Sequence, residues 1–559
     1  MSKAFDEVGL PDLEHARMVI DEIVRWYDER RLHGALHLLR AIDYYRSDPE
    51  RLLEERRNTL GETARGGVGV CSSRERTRRA FLKTLAGTSI GLGGLSMAPH
   101  SVMAQDQASA ESARPNLLFV FADQWRAQNI GYLDPEVHTP HLDRFAAEGA
   151  RFDNAVSALP VCTPYRAMLL TGRYALSNRM LLNDVRLPES ETSIADVLKD
   201  AGYQTGYVGK WHLDGPWRWE WTPPGPRRQG FDFWAGIDCQ HRYLDAFYYR
   251  DTPEKIRIEG YEPDHQTDVA IEFLRERQMD KPFCLFLSWA PPHDPYDQVP
   301  EEFLDLYDPA SITLRQNCRD ERHRKQIAQY YAHITALDTC FGRLMTTLDE
   351  LGLRENTVVV FTSDHGDMLG SQGRAKKQLP WEESLMVPFL LRHPGVVKAG
   401  SRIESPLNAV DIMPTLLALL GVPSPSCVEG SDLSHLLLGG SGRAPDSAFI
   451  FNICPFWSRR LAAIPEWRGV RTAHHTYVRT LAGPWLLYDN TNDPYQLTNL
   501  VEDPSTRALR DRLDREIDQW LDKTGDPFRP RQYYHEKFGF EVDEYGNTPY
   551  YRYRSDKTS

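Results

Sequence analysis

Apolar runs alternate with helical segments from residue 114 onward in this 559-residue chain. The runs are near-continuous in apolar residues, whereas the segments between them carry apolar positions at helical spacing. This alternation predicts an α/β domain with a mostly parallel sheet sandwiched by helices. After about residue 430 the runs RGVRTAHHTYVRT and PWLLYDNTNDPYQLTNL become hairpin-like, and a charged helix is predicted near 505–522. We therefore predict a smaller C-terminal antiparallel subdomain.

Four predicted strands lead directly into polar residues that could do chemistry. These residues are Asp123 in NLLFVFAD, Lys210 and His212 in YQTGYVGKWH, His293 in FCLFLSWAPPHDPY, and Asp364 and His365 in TVVVFTSDHGD. Open α/β sheets bind ligands at the carboxyl ends of their strands. We therefore expect these side chains to converge, although they span more than 240 positions of the chain.

The first 65 residues are charged and have apolar positions at helical spacing, which predicts one or two amphipathic helices. The stretch VIDEIVRWYDERRLHGALHLLRAIDYY resembles the tail of the integrase core of insertion-sequence transposases, without the catalytic carboxylates of that family. We interpret residues 1–65 as a fused or mis-annotated remnant of such a protein.

Residues 71–104 resemble a twin-arginine export signal. Arg78 and Arg79 precede FLK, a glycine-rich apolar run follows from 84 to 98, and VMA at 102–104 offers small residues for a signal peptidase. The run is too short to span a bilayer comfortably. A basic linker before a short core helix is the alternative.

Export signals belong at an N-terminus, so we expect translation to start at a valine codon, Val68 or Val70. The twin-arginine translocase would then be a partner, and the mature protein would be periplasmic or secreted.

The composition, 41% apolar and 26% charged, is close to that of ordinary soluble proteins and indicates neither a disordered nor a multi-span membrane protein. The formal net charge of −13 argues against a nucleic-acid partner, because phosphate binding needs a basic surface. The eight cysteines are sparse and form no CxxC pair, so neither a disulfide scaffold nor a zinc module is indicated.

One cysteine lies in unusual surroundings. In VCTPYRAMLLTGRY, Pro164 predicts that a helix begins at Cys162. Free N–H groups at a helix N-terminus favour an anion, and Arg166 adds a fixed charge one turn later. A buried structural cysteine is the alternative for a lone cysteine, but these neighbours favour a reactive one.

The segment C162-T-P-Y-R166, followed by TGR, is similar to the C-x-P-x-R signature of formylglycine-dependent sulfatases. GYQT at 202–205 and GKWH at 209–212 are similar to the second signature of that family. The resemblance covers roughly residues 114 to 500. It implies an alkaline-phosphatase-like α/β fold, and we expect these parts: a catalytic domain at 114–430, a C-terminal subdomain at 431–525 and an irregular tail at 526–559.

The resemblance implies a divalent metal site formed by Asp123, Gln124, Asp364 and His365, with an oxygen from modified Cys162. Many sulfatases have a second aspartate where this chain has Gln124 and an asparagine where it has His365. Calcium prefers an all-oxygen ligand shell, so a histidine ligand is also compatible with manganese. Related sulfatases with an Asp-His pair use calcium. Taken singly, such residues could instead cap turns or bond the backbone.

The resemblance further implies that a separate formylglycine-generating enzyme oxidises Cys162 to formylglycine (3-oxoalanine). The aldehyde, hydrated and held by the metal and Arg166, offers one hydroxyl to attack sulfur and a second to release sulfate. Serine would lack that second hydroxyl.

Other side chains match family positions around the sulfate group. Lys210 and Lys377 match lysines that grip sulfate oxygens. His212 matches a family base for the step that releases sulfate. His293 matches an acid that protonates the leaving oxygen of the substrate. The roles of the two histidines could be exchanged. Asn183 resembles an amide that contacts the transferred group, but it could equally stabilise a turn.

The aromatic loop 211–234, with Trp217, Trp219 and Trp221 among its residues, could stack sugar rings or could simply pack. Lys376 is expected to lie in solvent beside the matched lysine.

We therefore expect hydrolysis of a sulfate ester, most simply on a sulfated carbohydrate. A phosphonate monoester or phosphodiester hydrolase of the same superfamily is an alternative, because its members also carry Asp-Gln and Asp-His metal pairs. A transposase-derived DNA-binding protein is an alternative of another class, opposed by the acidic charge and the missing carboxylates.

Overall fold

The structure is a computed structural model that describes residues 114–440, 442–456 and 464–550. The predicted transposase-like segment and the predicted export signal lie outside the described residues. Within those ranges, no helix combines the length and apolar character needed to cross a membrane.

The strands are short to medium in length and are numbered in chain order. They are β1 (Asn116–Asp123), β2 (Ala150–Phe152), β3 (Ala155–Val156), β4 (Gln204–Lys210), β5 (Phe233–Ile237), β6 (Phe247–Tyr248), β7 (Ile256–Arg257), β8 (Phe283–Pro292), β9 (Thr357–Ser363), β10 (Phe389–Arg392), β11 (Ser401–Ile403), β12 (Leu407–Asn408), β13 (Ser447–Asn452), β14 (Trp467–Thr472), β15 (His475–Thr480) and β16 (Gly483–Asp489).

The α-helices are numbered in the same way. They are α1 (Pro140–Glu148), α2 (Cys162–Thr171), α3 (Ala175–Asn178), α4 (Ile194–Asp200), α5 (Glu262–Glu276), α6 (Glu301–Leu304), α7 (His323–Glu350), α8 (Glu382–Leu385), α9 (Ala409–Leu419), α10 (Ser434–Leu437), α11 (Arg507–Thr524) and α12 (Arg531–Phe538).

A central eight-stranded sheet has the strand order β11-β2-β10-β9-β1-β8-β4-β5 in the described part of the chain. Strands β9, β1, β8, β4 and β5 are parallel neighbours, whereas β10 is antiparallel to both β9 and β2. The prediction of a mostly parallel sheet is confirmed. Because the five parallel strands are adjacent, their carboxyl ends form one continuous edge.

Strand β1 shows why the central strands are apolar throughout. All eight of its residues are buried, because helices cover both faces of the sheet. Its alternate side chains enter two different cores: Leu117 and Phe119 pack with residues of α2, α4 and α9, and Leu118 and Val120 with residues of α1, α5 and α7.

The C-terminal sheet is the antiparallel meander β13-β14-β15-β16, as the hairpin-like sequence predicted. Helix α11 packs on it through Leu513 and Ile517, which are buried with Val470 and Tyr477.

The tail after residue 525, predicted to be irregular, contains the helix α12. The helix lies between Pro530 and Gly539, which has a positive φ of 67°, and it buries Tyr534. A helix of two turns is too short to show periodicity, so the prediction of an irregular tail was wrong there. The flanking proline and glycine were the usable sequence signals.

Candidate active site

Polar residues follow the carboxyl ends of the parallel strands and meet at one edge of the sheet. Asp123 ends β1 and Lys210 ends β4, while Asp364 directly follows β9. Lys210 Nζ lies 2.6 Å from Asp123 Oδ2. The convergence predicted from the sequence is therefore present in the structure.

Cys162 is the first residue of α2 and is buried, as the position of Pro164 predicted. Its Sγ lies 2.9 Å from Lys377 Nζ, 3.2 Å from His365 Nε2 and 3.7 Å from Asp123 Oδ1. Burial and Asp123 both disfavour the thiolate. The charges of Lys377 and nearby cations outweigh them, so the pKa of the Cys162 thiol lies well below its usual range.

Arg166, one turn further along α2, connects the neighbouring strands. Its Nη1 donates to the Lys210 carbonyl at 2.7 Å and to Ser288 Oγ at 2.8 Å. Its Nη2 lies 3.1 Å from Asp123 Oδ2 and 3.3 Å from Asp364 Oδ2. The guanidinium is buried and contacts both carboxylates, so it holds them in position and offsets part of their negative charge.

Asp123, Cys162, Asp364 and His365 offer potential ligand atoms that all lie within 4.8 Å of one another. His365 Nδ1 donates to the Gly366 carbonyl at 3.0 Å, which leaves Nε2 facing this cluster. Burial and the charge of Asp123 raise the pKa of Asp364 to about 6. Burial alone would raise the pKa of Asp123. The positive charge of Lys210, followed by those of other neighbouring cations, outweighs burial and holds this pKa well below its usual range.

Gln124 follows β1 with a positive φ of 71°. Its backbone N–H donates to Asp364 Oδ1 at 3.0 Å, and its Nε2 donates to Asp367 Oδ2 at 2.7 Å. Its Oε1 is buried and has no hydrogen-bond partner among the described residues. Such an oxygen is costly unless it meets a donor or a cation, so the amide suits a metal site.

Lys376 and Lys377 lie in different environments. Lys377 is buried and its Nζ contacts Cys162 Sγ, whereas Lys376 is exposed and its Nζ lies 3.2 Å from Asp294 Oδ2. His293 Nδ1 donates to the Asp294 carbonyl at 2.7 Å. Burial, followed by the charge of Lys377, holds the pKa of His293 well below its usual range.

His212 is held by groups that the sequence pattern did not indicate. Its Nε2 lies 2.9 Å from Asp184 Oδ1, and Arg218 Nε donates to the same oxygen at 2.6 Å. Burial opposes protonation, but Cys239, Asp184 and Cys162 raise the pKa of His212 well above its usual range.

Asn183 lies at the N-terminus of α2. Its Oδ1 accepts a hydrogen bond of 3.0 Å from the backbone N–H of Thr163. The side chain thus satisfies a free N–H group in the first turn of α2, a role different from the turn stabilisation weighed against substrate contact. Contact between Asn183 and the transferred group stays a prediction.

Much of the aromatic loop is core rather than binding surface. Trp211, Phe231 and Trp234 are buried, with ring centroids of Trp211 and Trp234 5.2 Å apart. Arg228 is buried as well and donates to backbone carbonyls. Trp219 is exposed, so only part of the loop can meet a substrate.

The Sulfatase family model matches residues 115–422, which is more than half of the chain. This chain belongs to the sulfatase family. A second model, N-sulphoglucosamine sulphohydrolase C-terminal, matches residues 370–523 of the sulfatase. It covers the whole antiparallel sheet β13–β16 and all but the last residue of helix α11.

Several relatives of the sulfatase are themselves named sulfatases. An ulvan-active sulfatase of Formosa agariphila is 42% identical over 439 residues, which cover 77% of this chain and 85% of that protein. An endo-4-O-sulfatase of Bacteroides thetaiotaomicron is 30% identical over 499 residues, 78% of this chain and 98% of that protein. A solved structure concerned with glycosaminoglycan metabolism by Bacteroides thetaiotaomicron has a TM-score of 0.69 at 30% identity, covering 76% and 98%. The predicted fold and sulfuric ester hydrolase activity are confirmed.

Proposed function

We propose that this sulfatase removes sulfate from carbohydrates, with formylglycine at position 162 and a divalent metal beside it. The observation that carries the proposal is the position of Cys162 Sγ, at a helix N-terminus and in contact with Lys377 Nζ and His365 Nε2. The names of the relatives, which include ulvan as a substrate, support a polysaccharide as the source of the ester.

The donor set fits a divalent cation. Asp123, Cys162, Asp364 and His365 bring their ligand atoms within 4.8 Å of one another, and Gln124, next to Asp123, has a buried Oε1 without a hydrogen-bond partner among the described residues. Three oxygens favour calcium, and the one nitrogen is also compatible with manganese. When bound there, the ion would offset the negative charge of the sulfate group and of the attacking oxygen.

Formylglycine at position 162 supplies a hydrated aldehyde with one hydroxyl for attack and another for sulfate release. Arg166 and Lys210 keep Asp123 in place through their contacts of 3.1 and 2.6 Å. The 2.9 Å contact of Lys377 Nζ with Cys162 Sγ supports the role of this lysine in holding a sulfate oxygen as charge develops.

His293 suits the leaving-oxygen side of the site. The bond from its Nδ1 to the Asp294 carbonyl leaves Nε2 for substrate, and an incoming sulfate ester brings negative charge that favours a proton on that nitrogen. His212, held by Asp184, is the candidate base for the second step.

The test of the proposed reaction uses protein in which the aldehyde at position 162 has been verified by mass. We expect turnover of 4-nitrophenyl sulfate to exceed that of the phosphonate monoester 4-nitrophenyl phenylphosphonate. A panel of sulfated oligosaccharides, assayed for released sulfate, should identify the carbohydrate substrate. Faster turnover of the phosphonate would favour the phosphonate hydrolase alternative.

The metal proposal is tested on the carboxylates. Asp123→Ala and Asp364→Ala should each lose bound metal, measured by elemental analysis, as well as turnover, because each removes a charged oxygen ligand. Asp200→Ala, at an exposed aspartate at the end of α4, is the control. Full activity of a metal-free variant would contradict the site.

We also propose export by the twin-arginine translocase, supported by the sequence at residues 71–104. Because this pathway carries folded proteins, the maturation enzyme should act on Cys162 in the cytoplasm, before α2 buries it. Replacing Arg78 and Arg79 with lysine should retain mature enzyme in the cytoplasm, as cell fractionation would show. Unchanged export would contradict the signal.

A further inference from the structure

We propose that a cavity of about 350 Å³ beside the catalytic residues is a subsite for an uncharged sugar, the neighbour of the sulfated one in the substrate chain. The inference rests on the proposed carbohydrate function. The cavity volume is within the roughly 300–1,000 Å³ typical of small-molecule sites.

The position of the cavity follows from how the active site opens. Cys162 is 1% exposed and Asp123 0%, whereas His293 and Lys377 reach 7% and 8%. Of these four residues, His293 and Lys377 lie nearest to solvent, so the part of a substrate that extends from the ester oxygen has a way out past them. The cavity is lined by their neighbours along the chain, Asp294, which follows His293, and Lys376, which precedes Lys377.

One wall of the cavity is anchored to the proposed metal site. Tyr296 lines it, and its hydroxyl donates to Asp367 Oδ2. The same carboxylate oxygen accepts the bond from Gln124 Nε2. A ligand in the cavity would thus lie on a surface that is fixed relative to the catalytic groups, and the Tyr296 ring offers an apolar face to a sugar ring.

The opposite wall belongs to the first two turns of α7. His323, Gln326 and Gln329 line the cavity there, and His323 Nδ1 lies 2.9 Å from Gln326 Oε1. Side-chain amides both donate and accept hydrogen bonds, as sugar hydroxyls do. These groups therefore match a hydroxyl-rich ligand rather than an apolar one.

The charges of the lining disfavour an anionic sugar. Asp294 is paired with Lys376, the one lysine of the lining, at 3.2 Å, and the carboxyl groups of Asp297 and Asp367 remain without a lysine among the lining residues. Among the described residues that line the cavity there is no arginine, the side chain that best binds carboxylate and sulfate. A second sulfate or a uronate here would meet like charge, so the neighbouring sugar should be neutral.

The test compares two oligosaccharides with the same sulfated sugar, one with a neutral neighbour and one with a uronate or sulfated neighbour. We expect kcat/KM to be about tenfold or more higher on the neutral one. Asp297→Lys should narrow this preference about tenfold, because it reverses a charge that lines the cavity. Gln329→Ala should raise KM for the neutral oligosaccharide several-fold.

Two controls separate the subsite from loss of folded protein. Each rate is divided by that of the same variant on 4-nitrophenyl sulfate, which is too small to fill the cavity. Asp522→Lys and Gln519→Ala, on the exposed face of α11, make the matched changes outside the cavity and should keep the wild-type preference.

Equal rates on the two oligosaccharides, or an unchanged preference in Asp297→Lys, would overturn the subsite and leave the carbohydrate function intact. No sulfate from any oligosaccharide, with turnover of 4-nitrophenyl sulfate retained, would overturn the carbohydrate function and the subsite with it.

Discussion

Lys376 and Lys377 are adjacent in sequence, but only one reaches the nucleophile position. Because Lys377 Nζ lies 2.9 Å from Cys162 Sγ, Lys377→Ala should lower kcat/KM for 4-nitrophenyl sulfate by about 10²–10³. Lys376→Ala removes only an exposed pair with Asp294, and its effect on this small substrate should be far smaller. Steady-state kinetics on both variants measures these effects. Equal losses of kcat/KM would mean that Lys377 is not the lysine that contacts the sulfate group.

At the scale of residues, the sequence indicated the candidate catalytic residues that lie in short motifs. It did not indicate the residues that hold them in position. Cys162 and Arg166 are fixed by the local chemistry of one helix, so their placement was predictable. Asp184 and Arg218 hold His212 through contacts between distant loops, and no local pattern indicates such contacts. Asp367 had a usable signal, because it follows the predicted metal ligands in SDHGD.

At the scale of elements, the end of β4 depends on a glycine. Gly209 has a φ of 104°, and a Cβ there would lie 2.0 Å from the Ser288 carbonyl oxygen of β8. Gly209→Ala should therefore lower the free energy of unfolding by at least about 3 kcal/mol, since backbone strain and a backbone clash add.

Gly202→Ala is the matched control for this substitution. Its φ is 91° but a Cβ there meets nothing within 4 Å, so only strain of about 1–2 kcal/mol is expected. Urea unfolding midpoints at equal metal content compare the two variants. Equal midpoints would show that the close approach of β4 to β8 is not the reason for a glycine at position 209.

Strands were easier to predict than the structure of loops. The runs that became β1, β4, β8 and β9 are apolar because both sheet faces are covered, and this pattern is visible in the sequence. The loop after β4 mixes buried and exposed tryptophans, since Trp211 packs in the core and Trp219 does not. Composition alone cannot separate these two cases, because burial there depends on tertiary packing.

At the scale of the whole molecule, a buried ion pair connects the C-terminal segment to the antiparallel sheet. Arg468 of β14 pairs with Asp526, with side chains 0% and 1% exposed, and Tyr534 of α12 donates to the same carboxylate. Asp526→Ala would leave a buried, unpaired guanidinium and should lower the free energy of unfolding by about 3–5 kcal/mol. Asp522→Ala, at an exposed aspartate of α11, is the control and should change it little.

The same pair predicts a pH dependence. Burial opposes ionisation, but Arg468 lowers the pKa of Asp526 below its ordinary value of 3.8. The stabilisation is therefore present above that value and is lost as the pH falls through the lower folded-state pKa. The difference in unfolding free energy between wild type and Asp526→Ala should shrink in strong acid. A constant difference would contradict a charged pair.

The overall architecture was predictable because the alternation of elements and the family resemblance lead to the same α/β fold. The resemblance also placed most of the candidate site, since convergence at strand ends follows from parallel topology. The cavity beside His293 was not predictable. It is formed by Tyr296, the start of α7 and the segment before Lys377, which lie near one another only in the folded chain.

The chemical state of residue 162 tests the account most directly. Peptide mass spectrometry of the tryptic segment from Phe152 to Arg166 should show, in active protein, a species lighter than the thiol form and reactive toward hydrazide. Protein made without a maturation enzyme should fold, bind metal and show little turnover, and Cys162→Ala should be inactive in every host. If unmodified thiol protein, verified by mass, hydrolysed sulfate esters as fast as the mature enzyme, formylglycine could not be the catalytic group.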